Sequence, residues 1–393
     1  MKAFRLSVVL ILSVGVRLAY TGWVGIDPVS DFAVYEELAH AVSSGEGYAY
    51  IGEAGLEELR LYRGDAAAFV PQATAWRAPG TAFLGAILYK TIGRLPVLFV
   101  LWNLVASLLI GFFVFSLSES RRAGVVAAAI WSLLPSTIAA TPLFGSELVH
   151  TAAVLGAAWS FDRDERLSGG LAAVACLFRP LGIVLVVAGV VAGRGNSRRC
   201  LAFLLAFIAV SAPWAIRNRL VFGSWTPYAA SGGDVFARHT ASLIPYEERD
   251  VARYTAWRNA SSEVEKSSTG FSVGVWNLVS IWSSPRRIPR ALAAGLDSAF
   301  LTDRQTVFWS KGGKALERTA SMAYYLLILL AMMGGYHMLG SPASDGMRFL
   351  GVHFALTVAL LILIPSVDRY HFPLLPYWAI LGGLALTRSR RYP

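Results

Sequence analysis

VLFVLWNLVASLLIGFFVFSL, residues Val97 to Leu117, decides the fold class. It carries no charged side chain and matches the roughly twenty apolar residues that a helix needs to span a bilayer. Runs of the same kind lie on either side: Leu6 to Ile26, Ala123 to Thr141, Leu148 to Phe161, Leu171 to Cys176 continuing brokenly to Ala192, Leu201 to Ile216, Ala323 to Leu339, Phe349 to Ile364 and Leu374 to Leu386. Between Gly170 and Gly193 the pair Arg179-Pro180 divides the apolar run, which predicts two short helices that turn within the membrane. The sum is an all-α polytopic membrane protein with about ten passes.

Composition agrees. The chain has 393 residues, of which 55% are hydrophobic and 15% charged, and its mean hydropathy is +0.52, too apolar for a soluble domain. The net charge of +10 is spread as arginines at the ends of apolar runs, which sets topology and argues against a nucleic-acid partner. Cys176 and Cys200 have no CxxC or Cys/His spacing, so neither a disulfide framework nor a zinc site is indicated. The amino terminus resembles a secretory leader, but Arg17 interrupts it and no small-x-small cleavage site follows, so it reads as a spanning helix with Arg17 snorkelling to the headgroups.

Positive charge orients the bundle. With the amino terminus inside, the loops Glu119 to Arg122, Phe161 to Arg166 and Arg194 to Arg199 and the tail Arg388 to Pro393 also fall on the cytoplasmic side. This requires Pro79 to Gly93 to lie along the outer face rather than cross. Three regions follow: a membrane module 1–216 containing the first outer loop 27–96, a large outer loop 217–319, and carboxy-terminal spanning helices 320–393. Juxtamembrane helices are expected in the outer loops: a charged surface helix at Tyr246 to Lys266 and an interfacial stretch at Val273 to Phe300.

Polar residues at the outer membrane face are the candidates for chemistry. Asp31 would either cap the helix that begins there or act as general base on an acceptor hydroxyl, while Asp27, before a proline, reads as a turn residue. Arg77 would snorkel or hold a phosphate in a two-pronged grip, with Lys90 adding a point charge. Glu147 opens a spanning helix, as an ordinary first-turn acid or as a site residue on the side of Asp31. Arg179, in the break of an apolar pair, needs a partner or a water-filled cavity. Gly232-Gly233 would form a turn or give backbone amides access to a phosphate or sugar. Asp368, Arg369, Tyr370 and His371 gather donors on a short outer loop, where His371 could equally cap or sit at the interface.

Taken in order, these motifs resemble the polyprenyl-phosphate-sugar-dependent glycosyltransferases of the glycosyltransferase C superfamily. They are most similar to the branch of the protein O-mannosyltransferases and the lipid A aminoarabinose transferase. The resemblance rests on Asp31 with Tyr35, Leu38, Ala39, Gly45 and Gly47; on Trp76 to Gly80; on Pro142 with Ser146-Glu147; on Arg179-Pro180; on Arg217-Asn218, Phe222-Gly223 and Gly232-Gly233; and on Arg369-Tyr370 with Pro373 and Pro376. It implies a glycosyltransferase C-type fold in the plasma or inner membrane, with an active site facing the extracytoplasmic side. The implied reaction is an inverting hexosyl or pentosyl transfer from a polyprenyl-phosphate sugar to a lipid, glycan or protein acceptor. Asp31 would be the base, and Glu147 would position acceptor or phosphate. Arg77, Arg179 and Arg369, with Lys90, would neutralise the carrier phosphate, and Tyr35, Arg217, Asn218, Gly232, Gly233, Tyr370 and His371 would contact substrate. No cofactor is required, although two carboxylates and a phosphate could share a divalent metal. The sequence after Gly232-Gly233, DVFARHTA, lacks the Gly-Asn of relatives. A transporter or flippase of a lipid-linked sugar and a non-catalytic scaffold remain the rival readings; only one broken helix argues for transport.

Overall fold

The structure, a computed structural model, describes residues 2–26, 30–63, 72–301, 310–338, 344–364 and 368–387; Asp27 and the carboxy-terminal tail lie outside them. Eighteen helices are described: α1 (Lys2–Val24), α2 (Asp31–Ser44), α3 (Glu53–Arg63), α4 (Gly80–Thr91), α5 (Val97–Leu117), α6 (Arg121–Leu133), α7 (Pro135–Ala139), α8 (Glu147–Phe161), α9 (Glu165–Phe178), α10 (Val184–Ala192), α11 (Ser197–Phe222), α12 (Ser231–Ala241), α13 (Val251–Arg258), α14 (Glu263–Trp282), α15 (Ile288–Leu296), α16 (Gly313–Met338), α17 (Asp345–Leu363) and α18 (Leu375–Thr387). The strands β1 (Ala49–Tyr50) and β2 (Gln72–Ala73) form one antiparallel pair between α2 and α4.

Among the described residues, five helices are long and apolar enough to cross a membrane: α1, α5, α11, α16 and α17. The other bundle helices are shorter, 15 residues in α8 and 14 in α9, for reasons written in the sequence. Pro135 stands at the first position of α7 and separates it from α6, because a proline starts a helix but cannot continue one. At Arg179 the backbone is extended before a 3-10 turn from Pro180 to Ile183 leads into α10, which is the break expected there. Small residues let the helices close on one another. A side chain at Gly169 of α9 would strike the Phe203 carbonyl of α11, and one at Gly334 of α16 the Leu381 carbonyl of α18.

Several expectations are corrected. The helix expected to end at Ile216 runs on to Phe222 and stops at Gly223, which takes a left-handed φ of 70°, so Arg217 and Asn218 are helical rather than part of a loop. The single surface helix expected at Tyr246 to Lys266 is a 3-10 turn followed by α13 and the start of α14. Asp250 and Ser262 divide it, each accepting a bond from the backbone N–H three residues on, as N-caps do. Arg17 does not snorkel. It is fully buried and donates to the Ser13 hydroxyl at 3.0 Å, the Ser132 carbonyl at 2.8 Å and the Thr137 hydroxyl at 3.0 Å.

Side-chain bonds join α2 and α3. Glu37 of α2 accepts from the Ile51 and Gly55 amides at 2.9 and 3.0 Å, which caps α3 and fixes it on α2. With 12 residues, α4 reaches about 18 Å, too short for a hydrocarbon core of about 30 Å. It packs on α2 while its Phe83 and Ile87 stay exposed.

Candidate functional site

Two ion pairs meet at one cavity, which Arg77, Glu147 and Arg179 line and which Asp31 adjoins through Arg77. In the first, Asp31 opens α2, but Ser30 occupies the cap position without a side-chain cap bond, and the Asp31 carboxylate instead accepts from Arg77 Nη2 at 2.7 Å. The same nitrogen donates to Glu58 of α3, whose other oxygen accepts from the Tyr50 hydroxyl at 2.8 Å. The Arg77 guanidinium stands 6.0 Å from the Tyr35 ring. Burial alone would depress its pKa, but the carboxylates of Glu58 and Asp31 outweigh burial and hold it well above the ordinary value; Arg77 is a permanent cation.

In the second pair, Glu147 begins α8, where the helix dipole favours an anion, and accepts from Arg179 Nη1 at 2.7 Å. Both residues are buried. The Arg179 guanidinium lies 5.0 Å from the Tyr370 ring. The extended backbone before Pro180 is what aims this arginine at the cavity rather than along a helix. Phe32, Tyr35, Arg77, Ser146, Glu147, Arg179, Ser231 and Tyr370 line a polar cavity of about 80 Å³.

The segment that carries Arg77 is clamped from several elements. Arg217 of α11 donates to the Thr74 carbonyl at 2.7 Å, and the Ala230 and Ser231 amides to the Ala75 and Trp76 carbonyls at 2.7 and 3.1 Å. Glu263 of α14 accepts from the Thr74 hydroxyl at 2.5 Å and the Ala75 amide at 2.6 Å. The Tyr48 hydroxyl donates to the Arg77 carbonyl at 3.1 Å. Beside the polar cavity runs an apolar groove of about 630 Å³, bordered by Pro79, Phe83, Ile87, Val210, Trp214 and Arg217. Phe178 lines both spaces, and Ala78 and Pro79 adjoin across them.

Of the residues selected from sequence, Asp31, Tyr35, Arg77, Glu147, Arg179 and Tyr370 thus come together. Others do not. Lys90 lies ten residues along α4 from Gly80, about 15 Å away, where it borders a separate shallow hollow with Ser43 and Gly45. Arg217 lines the apolar groove and braces Thr74, and Asn218 is buried, donating to the Thr226 carbonyl at 2.8 Å. Gly232 and Gly233 form the first turn of α12 rather than a loop. A side chain at Gly233 would strike the Ser267 carbonyl of α14, whereas Gly232 faces open space. His371 is fully buried, its ring stacked 4.6 Å from that of Tyr324, and it does not line the cavity. The Arg369 side chain lies outside the described residues. Glu58, Tyr50 and Glu263 escaped sequence reading; the one signal was that Glu58 falls on the inner face of an otherwise charged amphipathic helix. Among the described residues no three His, Cys, Asp or Glu side chains are gathered as a metal site.

The chain is an integral membrane protein whose helical fold is similar to that of a solved membrane oligosaccharyltransferase. Its particular likeness is to the archaeal oligosaccharyltransferase AglB from Archaeoglobus fulgidus, solved in complex with an inhibitory peptide and a dolichol-phosphate, at 14% identity and a TM-score of 0.56. The apo form of that enzyme matches equally. The match covers 98% of this chain and 50% of the oligosaccharyltransferase, so the chain spans about half the length of that relative. A weaker likeness, on which nothing rests, is to ArnT from Cupriavidus metallidurans bound to undecaprenyl phosphate, at 14% identity and a TM-score of 0.42, covering 96% of this chain and 77% of that one. No family model and no curated protein matches the chain.

Proposed function

We propose that the protein is a membrane glycosyltransferase that moves a sugar from a polyprenyl-phosphate carrier to an extracytoplasmic acceptor hydroxyl or phosphate, with inversion. The observation that carries this reading is the meeting of a polar, ion-paired cavity with an apolar groove at Phe178. A sugar phosphate on a long hydrocarbon tail needs just these two environments side by side. The groove takes the tail, and its exposed Phe83 and Ile87 would face lipid at the point of entry. The archaeal oligosaccharyltransferase named above was solved with a dolichol-phosphate, which agrees with that partner.

In the reaction Asp31 takes the proton of the acceptor hydroxyl as its oxygen attacks the anomeric carbon, and the bond from that carbon to the carrier phosphate breaks on the opposite face. Polyprenyl phosphate leaves with the electron pair. A phosphate has low proton affinity, so positive charge suffices in place of a strong acid. Arg179 and Arg77 supply it at the cavity, and Arg369 is assigned to the same task on its sequence motif alone. Glu147 orients Arg179, and Tyr35 and Tyr370 offer faces for the sugar.

We assign the membrane module to residues 1–216, the outer loop to 217–319 and the last spanning helices to 320–393. Both termini would then be cytoplasmic, with about ten passes once the shorter apolar helices cross as well. The test is turnover. In lipid nanodiscs supplied with a panel of polyprenyl-phosphate sugars and candidate acceptors, the protein is expected to release free polyprenyl phosphate. Binding and translocation of the donor without release would assign it to transport instead.

A further inference from the structure

Glu58 has no part in the reaction described above, yet it is the more buried of the two carboxylates on Arg77, 3% exposed. Its placement is built: Glu37 caps α3 through the Ile51 and Gly55 amides, and Glu58 follows on the next turn, on the inner side. The Tyr50 hydroxyl holds one oxygen at 2.8 Å while the other receives Arg77. Arg77 Nη2 is thereby shared between Glu58 and Asp31. An aspartate paired with an arginine alone has its basicity cut by about 1 to 3 pKa units, which makes a poor proton acceptor. A second carboxylate on the same guanidinium takes up part of its charge and restores the first.

We propose that Glu58 is a positioning residue for the proton acceptor: it fixes Arg77 against the cavity wall and balances its charge, so that Asp31 is held in place without being silenced. The inference rests on the reading of Asp31 as base. It also explains why the two arginines that line a cavity meant for an anionic donor are paired, among the described residues, with three carboxylates, Asp31, Glu58 and Glu147. One of the carboxylates serves the base, not the donor.

The test is Glu58→Gln, which keeps an oxygen for Arg77 and a partner for the Tyr50 hydroxyl but removes the charge. Two readouts are taken on the full-length protein. The first is an infrared titration of the Asp31 carboxyl, assigned by its loss in Asp31→Asn; the second is kcat and donor KM against pH. The expected results are a fall of the Asp31 midpoint by about one pH unit, a matching downward move of the acid limb of kcat, a several-fold loss of kcat, and a donor KM that is unchanged or lower because the cavity has become less negative. An unmoved Asp31 midpoint overturns the proposal, as does a loss of kcat with raised KM and an unmoved acid limb, the pattern of a purely structural residue. If the midpoint moves as expected while the native protein turns over no donor, the charge arrangement stands and the glycosyl-transfer reading falls.

Discussion

Arg17 donates to the Ser132 carbonyl in the last turn of α6, just before Pro135 interrupts the helix. That carbonyl has no amide ahead of it to bond, and a cation is the favourable partner for a helix carboxy terminus. The residue is therefore a buried cap, and its fork spans Ser13, Ser132 and Thr137. Arg17→Lys keeps the buried charge but cannot reach the three acceptors together. It is expected to lower stability by roughly 1–3 kcal/mol and to cost more than Arg17→Met, which removes the charge along with the bonds. The two thermal midpoints in detergent check this; a snorkelling arginine would give the reverse order. Asp31 was legible because a carboxylate directly after a spanning helix is unusual. Its partners were not: Arg77 lies 46 residues away, and nothing in local pattern ties Glu58 to it. The same limit applies to His371, where a polar residue type suggested a site and burial against Tyr324 made it part of the core.

At the scale of elements, hydropathy located the long helices well because each one alone must satisfy the bilayer. Helices that are buried by neighbours were harder. Residues Ala123 to Thr141 read as one span and fold as α6 and α7, and α11 runs past the expected end at Ile216 to Phe222. The outer loop 217–319 was read as coarse surface structure, but α12 and α14 form a tight pair whose contact depends on Gly233 and Gly270, each lying against the other helix's backbone. Gly233→Ala is expected to force the pair apart and cost about 1–3 kcal/mol, while Gly232→Ala, which meets nothing within 4 Å, should be neutral or slightly stabilising in a helix. Thermal denaturation of the two variants separates them. Equal losses would place both glycines in backbone roles instead. Because α12 and α14 also grip residues 74–76 through Ala230, Ser231 and Glu263, Gly233→Ala should lower turnover as well.

For the whole molecule, the sequence conveyed an apolar helical bundle with polar residues gathered on one side, and the ordered motifs conveyed the type of fold. What it could not convey is adjacency: that the Arg77 and Arg179 clusters, about a hundred residues apart in the chain, line one cavity, or that this cavity opens beside an apolar groove. Those relations arise from helix packing, to which charge and hydropathy along the chain are blind. The central claim is that Asp31 is the base of a transfer from a lipid phosphate, and the most direct measurement compares release of free polyprenyl phosphate by the native protein and by Asp31→Asn at matched stability in nanodiscs. The account predicts release by the native chain and a loss of at least about 100-fold in the variant. Equal release by the two would contradict it and leave Asp31 as no more than the ion-pair partner of Arg77.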